Sequence, residues 1–170
     1  MQLLARSKQV EESKVGAQVV HIDIDRCIAC RACEAACERE HSGISHIFVT
    51  PINDKYSIPL SCLHCEKSPC VDVCPTKALE KTSYSAVIFR KISCIGCRLC
   101  TIVCPFGVIQ IDEEGNVLKC DKCIHRLKEG KDPACVLTCP TKALIYGKRD
   151  QIMTRKRRKR VLKDTHTKKL

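Results

Sequence analysis

Sixteen cysteines lie between Cys27 and Cys139 of a 170-residue chain, and their spacing constrains every other reading of the sequence. They form four quartets. The first is Cys27, Cys30, Cys33 and Cys37, a C-x2-C-x2-C-x3-C run. The second, Cys62, Cys65, Cys70 and Cys74, reads C-x2-C-x4-C-x3-C. The third, Cys94, Cys97, Cys100 and Cys104, repeats the first spacing. The fourth, Cys120, Cys123, Cys135 and Cys139, reads C-x2-C-x11-C-x3-C. No cysteine is left over.

So many cysteines imply either a disulfide scaffold or metal binding. The opening MQLLARSK has neither the apolar stretch of a secretory leader nor a twin arginine. The expected setting is therefore cytoplasmic, where thiols stay reduced and clustered cysteines act as ligands. Zinc sites favour C-x2-C pairs separated by longer loops, which would suit Cys120 and Cys123 alone. Three cysteines at x2 intervals are too crowded for one tetrahedral ion. An iron–sulfur cube, by contrast, needs one loop of three thiolates and a fourth delivered from elsewhere, and C-x2-C-x2-C-x3-C-P is the bacterial ferredoxin run. The third quartet carries that full run through Pro105, and the second and fourth also end in Cys-Pro, at Pro75 and Pro140. Proline there fixes φ and sets the route by which the chain leaves the site. The first quartet has Glu38 instead. Gly96 lets the backbone pass close to sulfur. The reading is four [4Fe–4S] clusters, with iron held through all sixteen cysteines.

The chain repeats internally. CPTKAL occurs at residues 74–79 and again at 139–144, and each half carries a compact quartet followed by an expanded one. Short β-branched or alternating runs at residues 18–23, 47–51, 86–90, 108–112 and 143–146 predict strands. Residues 31–39 and 99–103 predict helical turns. With 4% aromatic residues and no tryptophan, the side chains alone cannot build a large core, so bound metal must supply cohesion. The predicted architecture is α+β: two bicluster ferredoxin-like modules of short strands and helices around iron–sulfur clusters. Residues 19–60 with 113–147 make one module and 61–112 the other. An N-terminal arm (1–18) and a basic tail (148–170) flank this body (19–147).

The net charge of +11 is concentrated at one end: residues 148–170 hold 11 basic and two acidic residues, a net of +9. The body carries only +2. Cluster cages of about −2 each would make it acidic. No apolar run reaches the 18 residues a membrane helix needs.

The quartets in order, the run CLHCEKSPCVDVCPTKAL (62–79) and the long insertion between Cys123 and Cys135 carry a family resemblance. The chain resembles the four-cluster electron-transfer subunits of the dimethyl sulfoxide reductase type. These include formate dehydrogenase β-subunits and the small ferredoxins associated with hydrogenases and carbon monoxide dehydrogenases. The resemblance covers roughly residues 21–147 and implies a nested pairing. Cluster 1 would use Cys27, Cys30, Cys33 and Cys139. Cluster 2 would use Cys62, Cys65, Cys70 and Cys104. Cluster 3 would use Cys94, Cys97, Cys100 and Cys74. Cluster 4 would use Cys120, Cys123, Cys135 and Cys37. Spacing alone does not decide between this and pairing of consecutive quartets.

The function expected is non-catalytic relay of single electrons between a catalytic oxidoreductase subunit and a ferredoxin-like partner, in anaerobic metabolism. The catalytic partner would be a molybdenum or tungsten enzyme, a carbon monoxide dehydrogenase or a hydrogenase, acting on formate, an aldehyde, carbon monoxide or hydrogen. A free polyferredoxin and a zinc-bearing, nucleic-acid-associated protein are the alternatives. RKRRKR (155–160) would serve the latter, but no aromatic residues interleave it as single-strand binding favours. His64 and His125 lie beside cysteines, and Lys77 and Lys142 sit at equivalent repeat positions. They are polar loop residues that could adjust cluster charge or hydrogen bonding. A homo-oligomer or filament would use the arm or the tail.

Overall fold

The computed structural model describes residues 18–52 and 56–167. The expected N-terminal arm lies outside the described residues except for Gln18, which opens the first strand. In chain order the elements are β1 (Gln18–Ile22), a 3-10 turn (Ile24–Arg26), α1 (Ala32–Glu40), β2 (Ile47–Pro51), β3 (Ser57–Ser61), α2 (Pro69–Asp72), β4 (Leu79–Lys81) and β5 (Val87–Phe89). A second 3-10 turn (Lys91–Ser93), α3 (Leu99–Val103), β6 (Gln110–Ile111), β7 (Val117–Leu118), α4 (Ile124–Lys128), α5 (Ala134–Thr138), β8 (Leu144–Lys148) and α6 (Arg149–Thr167) follow. The fold is α+β, as the sequence predicts.

The strands form four separate two-stranded antiparallel sheets. Three are local hairpins: β2–β3, β4–β5 and β6–β7. The fourth joins β1 to β8, with Gln18 opposite Lys148 and Ile22 opposite Leu144. A two-stranded ribbon is marginal by itself, so each depends on what packs against it. Two apolar clusters provide that packing. One gathers Ile47, Val49, Val136, Ala143 and Leu144 around Cys33, Cys37 and Cys139. The other gathers Leu79, Val87, Ile109 and Val117 around Cys70 and Cys100. Among the described residues neither contains a buried aromatic ring, and buried cysteines belong to both.

Several elements differ from the sequence expectation. Strand β3 carries Pro59 at its centre, which argues against a strand in a wide sheet. In a two-stranded ribbon every strand is an edge, so the missing N–H is tolerated. The basic tail is a 19-residue helix that follows β8 directly. Its exposed face carries Arg155, Arg157, Arg158 and Arg160, while Ile152 is only 6% exposed and packs 3.8 Å from where a side chain on Gly147 would begin. Lys156 reaches Asp23 at 3.8 Å. Among the described side chains Ile152 thus anchors a helix that charge alone would leave in solvent. Ile152→Ala should weaken that docking by about 2 kcal/mol. Amide exchange in α6 should speed up accordingly while the four ribbons stay protected.

Candidate metal centres

All sixteen cysteines are free thiols. The position two residues after the first cysteine of each quartet has left-handed backbone: Ala29 (φ 56°), His64 (φ 49°), Gly96 (φ 69°) and Lys122 (φ 65°). Only one of the four is glycine, so three pay a strain of about 1–2 kcal/mol that the surrounding structure must offset. The turn aims amides inward. The Gly96 N–H donates to Cys94 Sγ at 3.4 Å and the Lys122 N–H to Cys120 Sγ at 3.3 Å. Arg31 (φ 56°) and Arg98 (φ 59°) repeat the left-handed geometry at the starts of α1 and α3. The third cysteine of each compact loop then lies in a helix, buried at Cys33 and Cys100.

The structure brings distant cysteines together. One cavity is lined by Cys27, Cys30, Cys33 and, from more than a hundred residues away, Cys139. Another is lined by Cys94, Cys97, Cys100 and Cys74. Cys70 lies close enough to Cys62 and Cys104 for their charges to raise its pKa further, although burial is the larger cause. Cys135 feels burial first and then Cys123 and Cys37, which together push it up to about 12. Cys120 in turn feels Cys135, on top of a larger effect of burial.

Two sulfurs behave differently. Burial acts upward on Cys74 and Cys139, but hydrogen-bond donors outweigh it and lower both pKa values. Both belong to the CPTKAL repeat. In each copy the threonine hydroxyl lies 3.8 Å from the cysteine sulfur, and Lys77 and Lys142 adopt the same left-handed turn. The Ala143 N–H reaches Cys139 Sγ at 3.2 Å. The repeat therefore builds two anion-ready sulfurs, each aimed at a loop of three from another segment.

Histidines line the sites as well. His41, which carries no cysteine-adjacent signal in the sequence, donates from Nδ1 to the Cys37 carbonyl at 2.9 Å, and its Nε2 meets Asp121 at 3.0 Å. The Asp121 contact, with help from Cys37, holds the imidazole charged well above its ordinary range. His41, Asp121 and Cys123 offer ligand atoms within 4.8 Å of one another, but Cys123 already belongs to the fourth quartet. His125 and Arg126 both bind Glu40, at 2.9 and 2.6 Å, clamping α4 to α1. Val87 N–H donates to His64 Nδ1 at 2.9 Å, leaving the proton on Nε2, which is buried without a protein partner. His46 Nδ1 is orphaned in the same way, one amide away from Cys37, where the His46 N–H meets Sγ at 3.2 Å. The unpartnered His64 Nε2–H near converging soft thiolates fits sulfur-rich inorganic clusters, which accept hydrogen bonds, better than a lone zinc ion that its four ligands enclose.

These features define an iron–sulfur protein, and its relatives agree. Residues 53–149 match the 4Fe-4S dicluster domain family, and residues 24–40 match a 4Fe-4S binding domain. The chain is 36% identical over 154 residues to the B subunit of the anaerobic dimethyl sulfoxide reductase of Escherichia coli, covering 77% of this chain and 73% of the relative. It is 37% identical over 161 residues to the uncharacterized ferredoxin-like protein YdhX of Escherichia coli, covering 87% and 71%. An iron-sulfur protein of Rhodospirillum rubrum is 34% identical over 177 residues, covering 87% and 92%. The chain belongs to the 4Fe-4S dicluster ferredoxin family: it binds [4Fe–4S] clusters and transfers electrons. Among the described residues, no helix is long and apolar enough to cross a membrane.

Two substitutions probe the loops. Gly96→Ala meets no atom within 4 Å of the new Cβ, and Ala29 holds the same conformation in the first quartet. It should cost about 1 kcal/mol while leaving iron content unchanged. Glu40→Ala should release the α1–α4 clamp at a cost of roughly 1 kcal/mol, about fivefold in local opening. The readout is faster loss of iron to a chelator.

Proposed function

We propose that this chain is the electron-transfer subunit of an oxidoreductase complex and holds four [4Fe–4S] clusters in the nested arrangement. Cys27, Cys30, Cys33 and Cys139 would hold one cluster, and Cys120, Cys123, Cys135 and Cys37 its neighbour. Cys62, Cys65, Cys70 and Cys104 would hold a third, and Cys94, Cys97, Cys100 and Cys74 the fourth. The observation that carries this reading is the pair of cavities in which a cysteine of one quartet completes the loop of another. The proposed modules, residues 19–60 with 113–147 and residues 61–112, follow from the same exchange; two separate apolar clusters support the division, with Val117 packing in the cluster of the second module.

Bound clusters supply one-electron redox sites. The chain contributes the rest. Its thiolates fix the cluster positions, its left-handed turns aim amides at sulfur, and its small aliphatic core keeps water away. Four protein ligands per cluster leave no coordination position for a substrate, so chemistry on a substrate falls to another chain. Relatives named as subunits of an anaerobic dimethyl sulfoxide reductase support a catalytic oxidoreductase as that partner. A soluble ferredoxin-like protein is the proposed second redox partner. The proposed setting is cytoplasmic, where thiols stay reduced and available to clusters.

Protein purified without oxygen should contain about sixteen irons and sixteen acid-labile sulfides per chain. Zinc without sulfide would refute the reading. Cys37→Ser should disturb the cluster of the fourth quartet. Damage confined to the second quartet's site would favour consecutive pairing instead. Affinity isolation of the tagged chain should bring down a catalytic subunit, and isolation of a lone chain would indicate a free polyferredoxin.

A further inference from the structure

Two lysines are buried beside the fourth quartet in a way that cluster binding alone does not require. Lys122 is 2% exposed and Lys119 is 5% exposed. Lys122 Nζ donates to three carbonyl oxygens: Gln18 at 3.1 Å, Tyr84 at 3.2 Å and Ser85 at 2.7 Å. A neutral amine has only two hydrogens, so three acceptors call for the ammonium form. Lys119 Nζ donates to the carbonyls of Val87 and Cys120. Among the described residues, no carboxylate lies within ion-pair reach of either ammonium. The nearest acid in sequence, Asp121, is turned towards His41 and the Cys123 amide. A buried, unpaired cation is costly, and an anion of another kind must compensate it.

The surroundings identify that anion. Val87 accepts from Lys119 through its carbonyl and donates to His64 through its amide, at 2.9 Å. His64 lies between Cys62 and Cys65, with Nδ1 3.9 Å from Cys62 Sγ. A hydrogen-bonded path thus runs from Cys120 through Lys119 and Val87 to the loop of the second quartet. Lys122 crosses the same gap from the other side, tying β1 to the turn between β4 and β5. Cys62 and Cys120 both act on Lys122, and Cys70 and Cys120 both feel Lys119. Both ammonium groups therefore face two cysteine cages, one from each half of the repeat.

We infer that Lys119 and Lys122 are positioning residues for electron transfer, set in the gap between the cage of Cys62, Cys65, Cys70 and Cys104 and the cage of Cys120, Cys123, Cys135 and Cys37. The inference rests on the proposed nested arrangement. Reduction adds negative charge to a cage, and a fixed cation in a low-dielectric gap stabilises the reduced state. The lysines raise the reduction potentials of these two inner clusters and leave those of the two outer ones unchanged.

The test uses the full chain, purified without oxygen, with Lys119→Gln and Lys122→Gln made singly. Glutamine keeps N–H donors for the carbonyls and removes the charge. Iron and sulfide are counted first, and each cluster is then titrated by EPR, with signals assigned from Cys65→Ser and Cys123→Ser. The expected result is full cluster content. The equilibrium for reducing the two inner clusters should become at least tenfold less favourable, about 59 mV for one electron. The outer two should stay unmoved. Lys122→Arg, which keeps the charge, should restore the potential. Full content with unmoved potentials, or an equal shift in all four clusters, would overturn the inference. So would loss of iron in both glutamine variants, which would make the lysines purely structural. A parent chain with fewer than four clusters would instead sink the proposed function itself.

Discussion

A tight cysteine loop can wrap only one side of a cube. Three sulfurs at x2 spacing, turned inward by a left-handed residue, occupy neighbouring corners, and the chain cannot reach the opposite corner without leaving the loop. The fourth sulfur must arrive from another segment. In the proposed arrangement Cys139 and Cys74 are two of these sulfurs, delivered by the two CPTKAL copies in a local geometry repeated down to the threonine contact and the left-handed lysine. Long-range order in a chain with short strands and almost no aromatic side chains depends on that convergence. The ribbons are too small to stand alone, and the apolar side chains form a thin shell around sulfur.

Much of this was legible in the sequence because ligand spacing is a strict geometric requirement. The four quartets, the α+β class and the strands at residues 18–22 and 47–51 could all be read directly. Other elements could not. Strand β3 hid behind Pro59, whose penalty disappears in a two-stranded ribbon. Strands β4 and β7 were too short to show alternation. Helix α6 looked like a solvated tail because six consecutive basic residues mask one anchoring isoleucine. His41 carried little local signal: Cys37 lies one turn before it, but Asp121 meets it only in three dimensions. The same applies to Lys119 and Lys122, which read as ordinary surface lysines and are among the most buried side chains present.

Buried charge is balanced here in two ways, by ion pairs and without them. His41 is held charged by Asp121, and the clamp of Glu40 on Arg126 and His125 is partly exposed. Lys119 and Lys122 are satisfied by backbone carbonyls, which settle their hydrogen bonds but not their charge. Protein and inorganic groups thus complete one electrostatic whole, so the folded chain and its clusters are best regarded as a single object.

The pairing of β1 with β8 bears on how such a chain could be made. The ribbon joins residue 18 to residue 148, whereas the hairpins β4–β5 and β6–β7 close within about a dozen residues. As the chain leaves the ribosome, the middle of the body has its partners at hand early. In the proposed arrangement Cys27, Cys30 and Cys33 emerge first, yet must wait for Cys139, almost the last part of the body to appear, and Cys37 waits for Cys120, Cys123 and Cys135. During that interval they are exposed thiols without their closing ligand. Anything that delivers iron and sulfide, or oxygen that destroys them, would act on this earliest segment for longest.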